Sequence, residues 1–179
     1  MAIRPLILLG DPLLRQRCDP VADPRAPEVR RLAEDLTDTL AHARATTGYG
    51  RGIAAPQVGA LSRVVVLRLP SRDWQPWVLV NPEIVERSAD SLVVWDACLS
   101  FLQIFMQVRR DREVAIRYRD LDGAPHEVRA GEAHDLGELL QHELDHLDGV
   151  LCLDRVEDLK TVVTREEFER RYRGASPYA

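Results

Sequence analysis

The chain has 179 residues, 45% of them hydrophobic and 30% charged, proportions that exclude a disordered or fibrous protein. Lys plus Arg number 24 against 29 Asp plus Glu, and the formal charge of -5 argues against the broad basic surface used to bind DNA or RNA. No Pro/Gly/Ser-rich linker or charge run divides the sequence, so residues 1–179 are read as a single domain.

The opening MAIRPLILLGDP carries an apolar run too short for a secretory core or a membrane span, which gives the expectation of a cytoplasmic location without membrane attachment. From Pro27 to Ala45, Val29, Leu32, Ala33, Leu36 and Leu40 recur at helical spacing, with proline suited to the first turn. The stretch TTGYGRGIAAPQVGA, with glycines at 48, 50, 52 and 59, reads as a tight backbone passage and not as a regular element. Strand-like runs follow at 63–69, 77–85, 91–95, near 101–108, 112–120 and 126–130, closely enough spaced for antiparallel pairing.

Ala133 to Leu147 predicts a second helix ended by Gly149. Thr164 with Glu167 predicts a capped short helix to about Arg173, before a frayed tail of five residues. The expected fold is α+β: antiparallel strands packed around one buried helix, with an N-terminal and a short C-terminal helix.

That buried helix carries QHELDHLDG, residues 141–149. A helix turns about 100° per residue, so His142 and His146 stack one turn apart and can reach one ion, with Glu143 beside them. Leucines on both sides should turn the pair inward, where two unpartnered imidazoles are costly. The alternative, two core histidines each bonded to backbone, leaves Glu143 unexplained. A catalytic metal site needs a third ligand and an open position. Cys98, after the strand-like SLVVW, is one candidate; Cys152 is the other, at the third-ligand place of the metzincin pattern HExxHxxGxx. Cys152 and Cys18 also make sense as small buried thiols that bind nothing.

Three blocks occur in order: GRGIAAPQVG at 50–59, ACLS at 97–100 and QHELDHLDG at 141–149. Together with GDPLLR at 10–15 and Asn81-Pro82, they make the chain resemble the peptide deformylase family over most of its length. The resemblance implies a metal-dependent hydrolase that removes the formyl group from N-terminal formyl-methionine of nascent peptides. It implies a divalent metal on Cys98, His142 and His146, with Glu143 as acid/base and Gln57 and the Leu99 backbone N–H facing the substrate oxygen. Fe2+ is the expected ion, with Zn2+, Ni2+ and Co2+ as substitutes that a thiolate also suits. Gly50, Arg51, Gly52, Ala97 and Glu138 fall where substrate passes, and the small Ala54 and Ala55 are expected to give a peptide backbone room. Asp145 and Asp148 are expected either to hold a histidine N–H or to sit on the helix surface. The implied partners are a formylated peptide and the ribosome, and the protein is expected to be a monomer or weak dimer.

The second block departs from the family pattern: Asp96 stands for glutamate, Ala97 for glycine, and Phe101-Leu102 for a proline-bearing turn. Arg51 replaces an aliphatic residue, and Glu138 lies one turn before His142. Either these two make the pocket too polar for methionine, so that a different formyl- or acylamino substrate is taken, or both point to solvent. Two lesser readings are a metzincin-like peptidase built on Cys152 and a catalytically idle binding protein.

Overall fold

The computed structural model describes residues 2–131 and 136–175. The first residues expected in the second helix, 133 to 135, and most of the tail expected to fray lie outside them. Helix α1, Pro27–Thr47, starts on its proline and stops at Gly48, which takes a left-handed φ of 79°.

The first sheet has five antiparallel strands: β1 (Gly52–Ala54), β2 (Val64–Arg68), β3 (Pro76–Arg87), β6 (Val114–Arg119) and β7 (Pro125–Ala130), in the order β1-β2-β3-β6-β7. Alternation along β2 explains its two buried faces. Val64 and Val66 pack with Leu36 and Leu40 of α1, whereas Val65 and Leu67 pack with Leu139, Leu140, Leu144 and Leu147 of helix α2, Leu136–Leu147. The second sheet joins β4 (Ser91–Asp96), β5 (Ile104–Asp111) and β8 (Val163–Thr164), also antiparallel. Helix α3, Arg165–Arg171, begins at Thr164, whose hydroxyl accepts the Glu167 N–H at 3.4 Å, so the expected cap forms. The helix ends two residues earlier than its pattern suggests. The result is a mixed α/β fold with antiparallel sheets and three helices.

Two sequence expectations need correction. The glycine-rich passage contains a strand, β1, paired through Ile53 with Val66 and followed by a 3-10 turn at Ala55–Val58. The fully buried Ile53 anchors this short strand against α1, so packing overrides its poor strand composition. The apolar stretch near 101–108 opens with a 3-10 turn, Leu99–Phe101, before β5 begins. Asn81-Pro82 marks a register shift in the β3–β6 ladder, as a proline without an N–H requires. Asn81 holds φ at 51° and ties its side-chain amide to both backbone groups of Val21 at 2.8 Å. Among the described residues no helix is long and apolar enough to cross a membrane.

Candidate active site

α2 brings His142, Glu143 and His146 to its buried surface, none more than 6% exposed. The end of β4 turns at Asp96 and Ala97 to deliver Cys98 as the N-cap of the Leu99–Phe101 turn. Cys98 Sγ lies 3.2 Å from His146 Nε2, and one ligand atom each from Cys98, His142 and His146 fall within 4.8 Å of one another. The two imidazoles cross at 74° with centroids 5.0 Å apart.

This donor set fits a divalent ion. Burial, reinforced by charge on His142, pushes the His146 pKa well below its ordinary value, so its ring is neutral and able to ligate. His146 Nδ1 is buried without a hydrogen-bond partner, while its Nε2 faces Cys98 Sγ. A thiol with two imidazoles matches iron, zinc, nickel or cobalt by softness and leaves a fourth position open. Cys152 falls elsewhere: among the described residues it groups with Asp96 and His142, and its thiol meets Met106 Sδ at 3.8 Å. Burial raises its pKa to about 12, keeping it a thiol. Cys18 is likewise a buried thiol, raised to about 11 by burial.

Asp145 and Asp148 do not hold a histidine. Asp148 meets Arg63 at 2.7 Å on the surface, and Asp145 takes Arg110 at 2.5 Å and Arg155 at 2.7 Å. Asp96 fills that role: its Oδ1 stands 2.9 Å from His142 Nδ1, although the N–H alignment falls short of a full hydrogen bond. Burial opposes charge on His142, but Asp96 overrides it and lifts the imidazole pKa well above its ordinary value. Arg110, 3% exposed, closes the other side of Asp96 at 2.8 Å. A chain of ion pairs therefore runs from the buried His142 through Asp96, Arg110 and the half-buried Asp145 to the exposed Arg155, fixing which His142 nitrogen faces the donor cluster.

Glu143 is 2% exposed, and burial, the largest influence, raises its pKa to about 7. A carboxyl poised there both accepts and returns a proton near neutral pH. Gly52 is why it fits. A Cβ built there would overlap Oε1 and lie 2.8 Å from Glu143 Cδ, so the small residue clears the protein's own acid and not only a passing substrate. Ala54 and Ala55, expected to give a substrate room, are instead fully buried in the core. Gln57 Oε1 accepts the Ala54 N–H at 2.9 Å, aiming Nε2 at Cys98 Sγ, 3.4 Å away, and at Ser100 Oγ, 3.2 Å away. Gly50, Ala97 and Leu99 are half-buried around this cluster.

The sequence model of the family described as polypeptide deformylase matches residues 3–162. The chain belongs to the peptide deformylase family. The peptide deformylase of Thermomicrobium roseum is 42% identical over 90% of this chain and 90% of its own, and that of Mesorhizobium japonicum is 37% identical over 99% and 97%. The crystal structure of peptide deformylase from Synechococcus elongatus in complex with actinonin superposes with a TM-score of 0.80 at 33% identity, covering 95% of this chain and 90% of that one. The Thermotoga maritima peptide deformylase gives 0.79 at 31% identity, covering 88% and 100%.

Within this deformylase fold, Arg51 and Glu138 do not point to solvent. Their side chains are 7% and 5% exposed, and Arg51 Nη2 is ion-paired to Glu138 Oε1. Burial raises the Glu138 pKa against the opposing charge of Arg51. Asp96 as a histidine partner, Ser100 as a partner of Gln57, and this ion pair were all missed in the sequence. Asp96 had one available signal, an acid two residues before a candidate ligand.

Proposed function

We propose that this chain works as one domain over residues 1–179 that removes the formyl group from N-terminal formyl-methionine of nascent peptides. The observation that carries the reading is the convergence of Cys98, His142 and His146 beside a buried Glu143. In this reading the strands pack about α2 as the central, motif-bearing helix. Cys98, His142 and His146 hold the ion, ferrous iron first among the candidates. When bound, such an ion supplies Lewis acidity that makes water nucleophilic near neutral pH.

The chain's own groups do the rest. Glu143 takes the proton of the attacking water and later delivers one to the departing amine. As the formyl carbon becomes tetrahedral its oxygen gains charge, which the Gln57 amide and the Leu99 backbone N–H stabilise from fixed positions. Gly50, Gly52 and Ala97 admit the substrate backbone. A ribosome-bound substrate and a cytoplasmic setting accord with this activity.

Metal analysis of anaerobically purified protein, with a formyl-peptide assay on the same sample, tests it. About one divalent ion per chain and release of formate are expected; a loaded protein inert to every formyl peptide overturns it. Cys98→Ala should abolish stoichiometric metal, whereas Cys152→Ala should keep it. The reverse pattern would establish the metzincin-like ligand set. Gly52→Ala should lower kcat by about 100-fold and cost about 1–3 kcal/mol of stability, because the added methyl displaces the buried Glu143 carboxyl, with metal content kept.

A second reading keeps this chemistry and changes the residue that bears the formyl group. The buried Arg51–Glu138 pair is the specific observation in its favour.

A further inference from the structure

In the proposed reaction the formyl oxygen faces Gln57, just beyond the C-terminal end of β1, and the departing amine faces Glu143, which presses on Gly52. The rest of the peptide therefore leaves toward Gly50. A Cβ built at Gly50 would lie 3.6 Å from Leu99 Cδ1, so Gly50 lines the same site as Cys98. Among the described residues β1 ends its sheet and pairs only with β2, which leaves its other edge free to carry an extended chain. At about 3.3 Å per residue, the second or third residue of that chain comes level with Gly50.

Arg44, in the last turn of α1, and Arg68, the last residue of β2, stand at that point. Arg44 Nη1 donates to Gly50 O at 3.5 Å, and the Arg68 N–H donates to Arg51 O at 2.8 Å. Their guanidinium groups meet at Trp74, in the loop between β2 and β3. That of Arg44 stacks 3.7 Å from the ring centre, and Arg68 Nε donates to Trp74 O at 2.6 Å. Trp74 and the preceding Asp73 hold left-handed φ values of 57° and 51°, a conformation that a bulky side chain keeps only where its surroundings hold it. Arg44, Arg68 and Trp74 are each half-buried and so within reach of a ligand.

Neither cation has a counter-charge. Among the described residues no carboxylate lies within ion-pair distance of Arg44 or Arg68, whereas most other arginines of the chain pair with one. A partly desolvated guanidinium with donors to spare suits a carboxylate, and the formal charge of -5 speaks against nucleic acid as its partner.

We propose that Arg44 and Arg68, held together by Trp74, form a subsite that recognises an acidic side chain at the second or third residue of the formylated peptide. The proposal rests on the deformylase reading above and keeps formyl-methionine as the first residue.

Formyl-Met-Glu-Ala and formyl-Met-Ala-Glu amides, each against its glutamine counterpart, test it, since glutamate and glutamine differ in charge and hardly in size. At low ionic strength the metal-loaded wild type should show a kcat/KM about fivefold or more higher for glutamate at one of the two positions, expressed in KM. That preference should fade in about 0.5 M salt. Arg44→Gln with Arg68→Gln should bring the paired peptides within about twofold of each other. Arg68→Gln alone should at least halve the preference, so the test survives if the double variant folds poorly. No glutamate preference at either position, or one unchanged in the variants, overturns the proposal alone. It is also overturned if the wild type shows no such preference but binds a single-stranded RNA oligonucleotide that the double variant releases, which assigns the cations to nucleic acid. Failure to hydrolyse every one of these peptides overturns the deformylase reading and this proposal with it.

Discussion

Glu143→Gln should lower kcat on formyl peptides by about 100- to 10,000-fold, the range that a positioned general acid/base contributes. The substitution keeps the side-chain length that fits against Gly52 and removes only the capacity to take and return a proton. Metal content should stay at the wild-type level because Glu143 is absent from the convergent donor set. Loss of turnover with full metal occupancy thus separates a proton-transfer role from collapse of the site. Stability near neutral pH should rise, since burial disfavours the carboxylate and holds the Glu143 pKa at about 7, above its ordinary 4.5, and the neutral amide removes that penalty. Unchanged turnover, and an unchanged cellular phenotype, would instead favour a fold retained for binding.

Local pattern accounts for what was readable in advance. The spacing of Leu139, Leu140, Leu144 and Leu147 with His142 and His146 is a helical period, and it turned the histidines inward as anticipated. The strands were legible for the same reason, and Thr164 announced its helix through a cap whose chemistry is local. Pairings between distant residues were not legible. Asp96 and His142 are joined only because β4 ends beside α2, and Arg51 and Glu138 are 87 positions apart. Asp145 misled because it directly precedes His146, yet one step along a helix turns a side chain about 100° away, toward Arg110 and Arg155. The close approach behind Gly52 was foreseen as a need for space, but its occupant, Glu143, depends on how β1 docks on α2.

Arg51→Ala should destabilise the protein by about 3–5 kcal/mol near neutral pH, the cost of leaving one member of a buried ion pair without its counter-charge. Glu138, with its side chain 5% exposed, would keep neither Arg51 nor a partner at Oε2. The loss should depend on pH with a definite sign. Burial already raises the Glu138 pKa above the ordinary value of 4.5, and Arg51 restrains that rise. Without Arg51 the folded-state pKa climbs further, so between about 4.5 and that higher value the folded chain binds more protons than the unfolded one. Stability of the variant then falls with rising pH, and its gap from wild type should widen from pH 5 to pH 8 in urea unfolding. Arg51→Val with Glu138→Leu removes both charges and fills the space with apolar atoms, which is often neutral or stabilising for a buried pair. That double variant should recover most of the stability lost by Arg51→Ala and lose the added pH dependence. If it is instead as unstable as the sum of the two single variants, the pair holds the fold by packing that valine and leucine cannot reproduce, and charge compensation is not what keeps Arg51 beside Glu138.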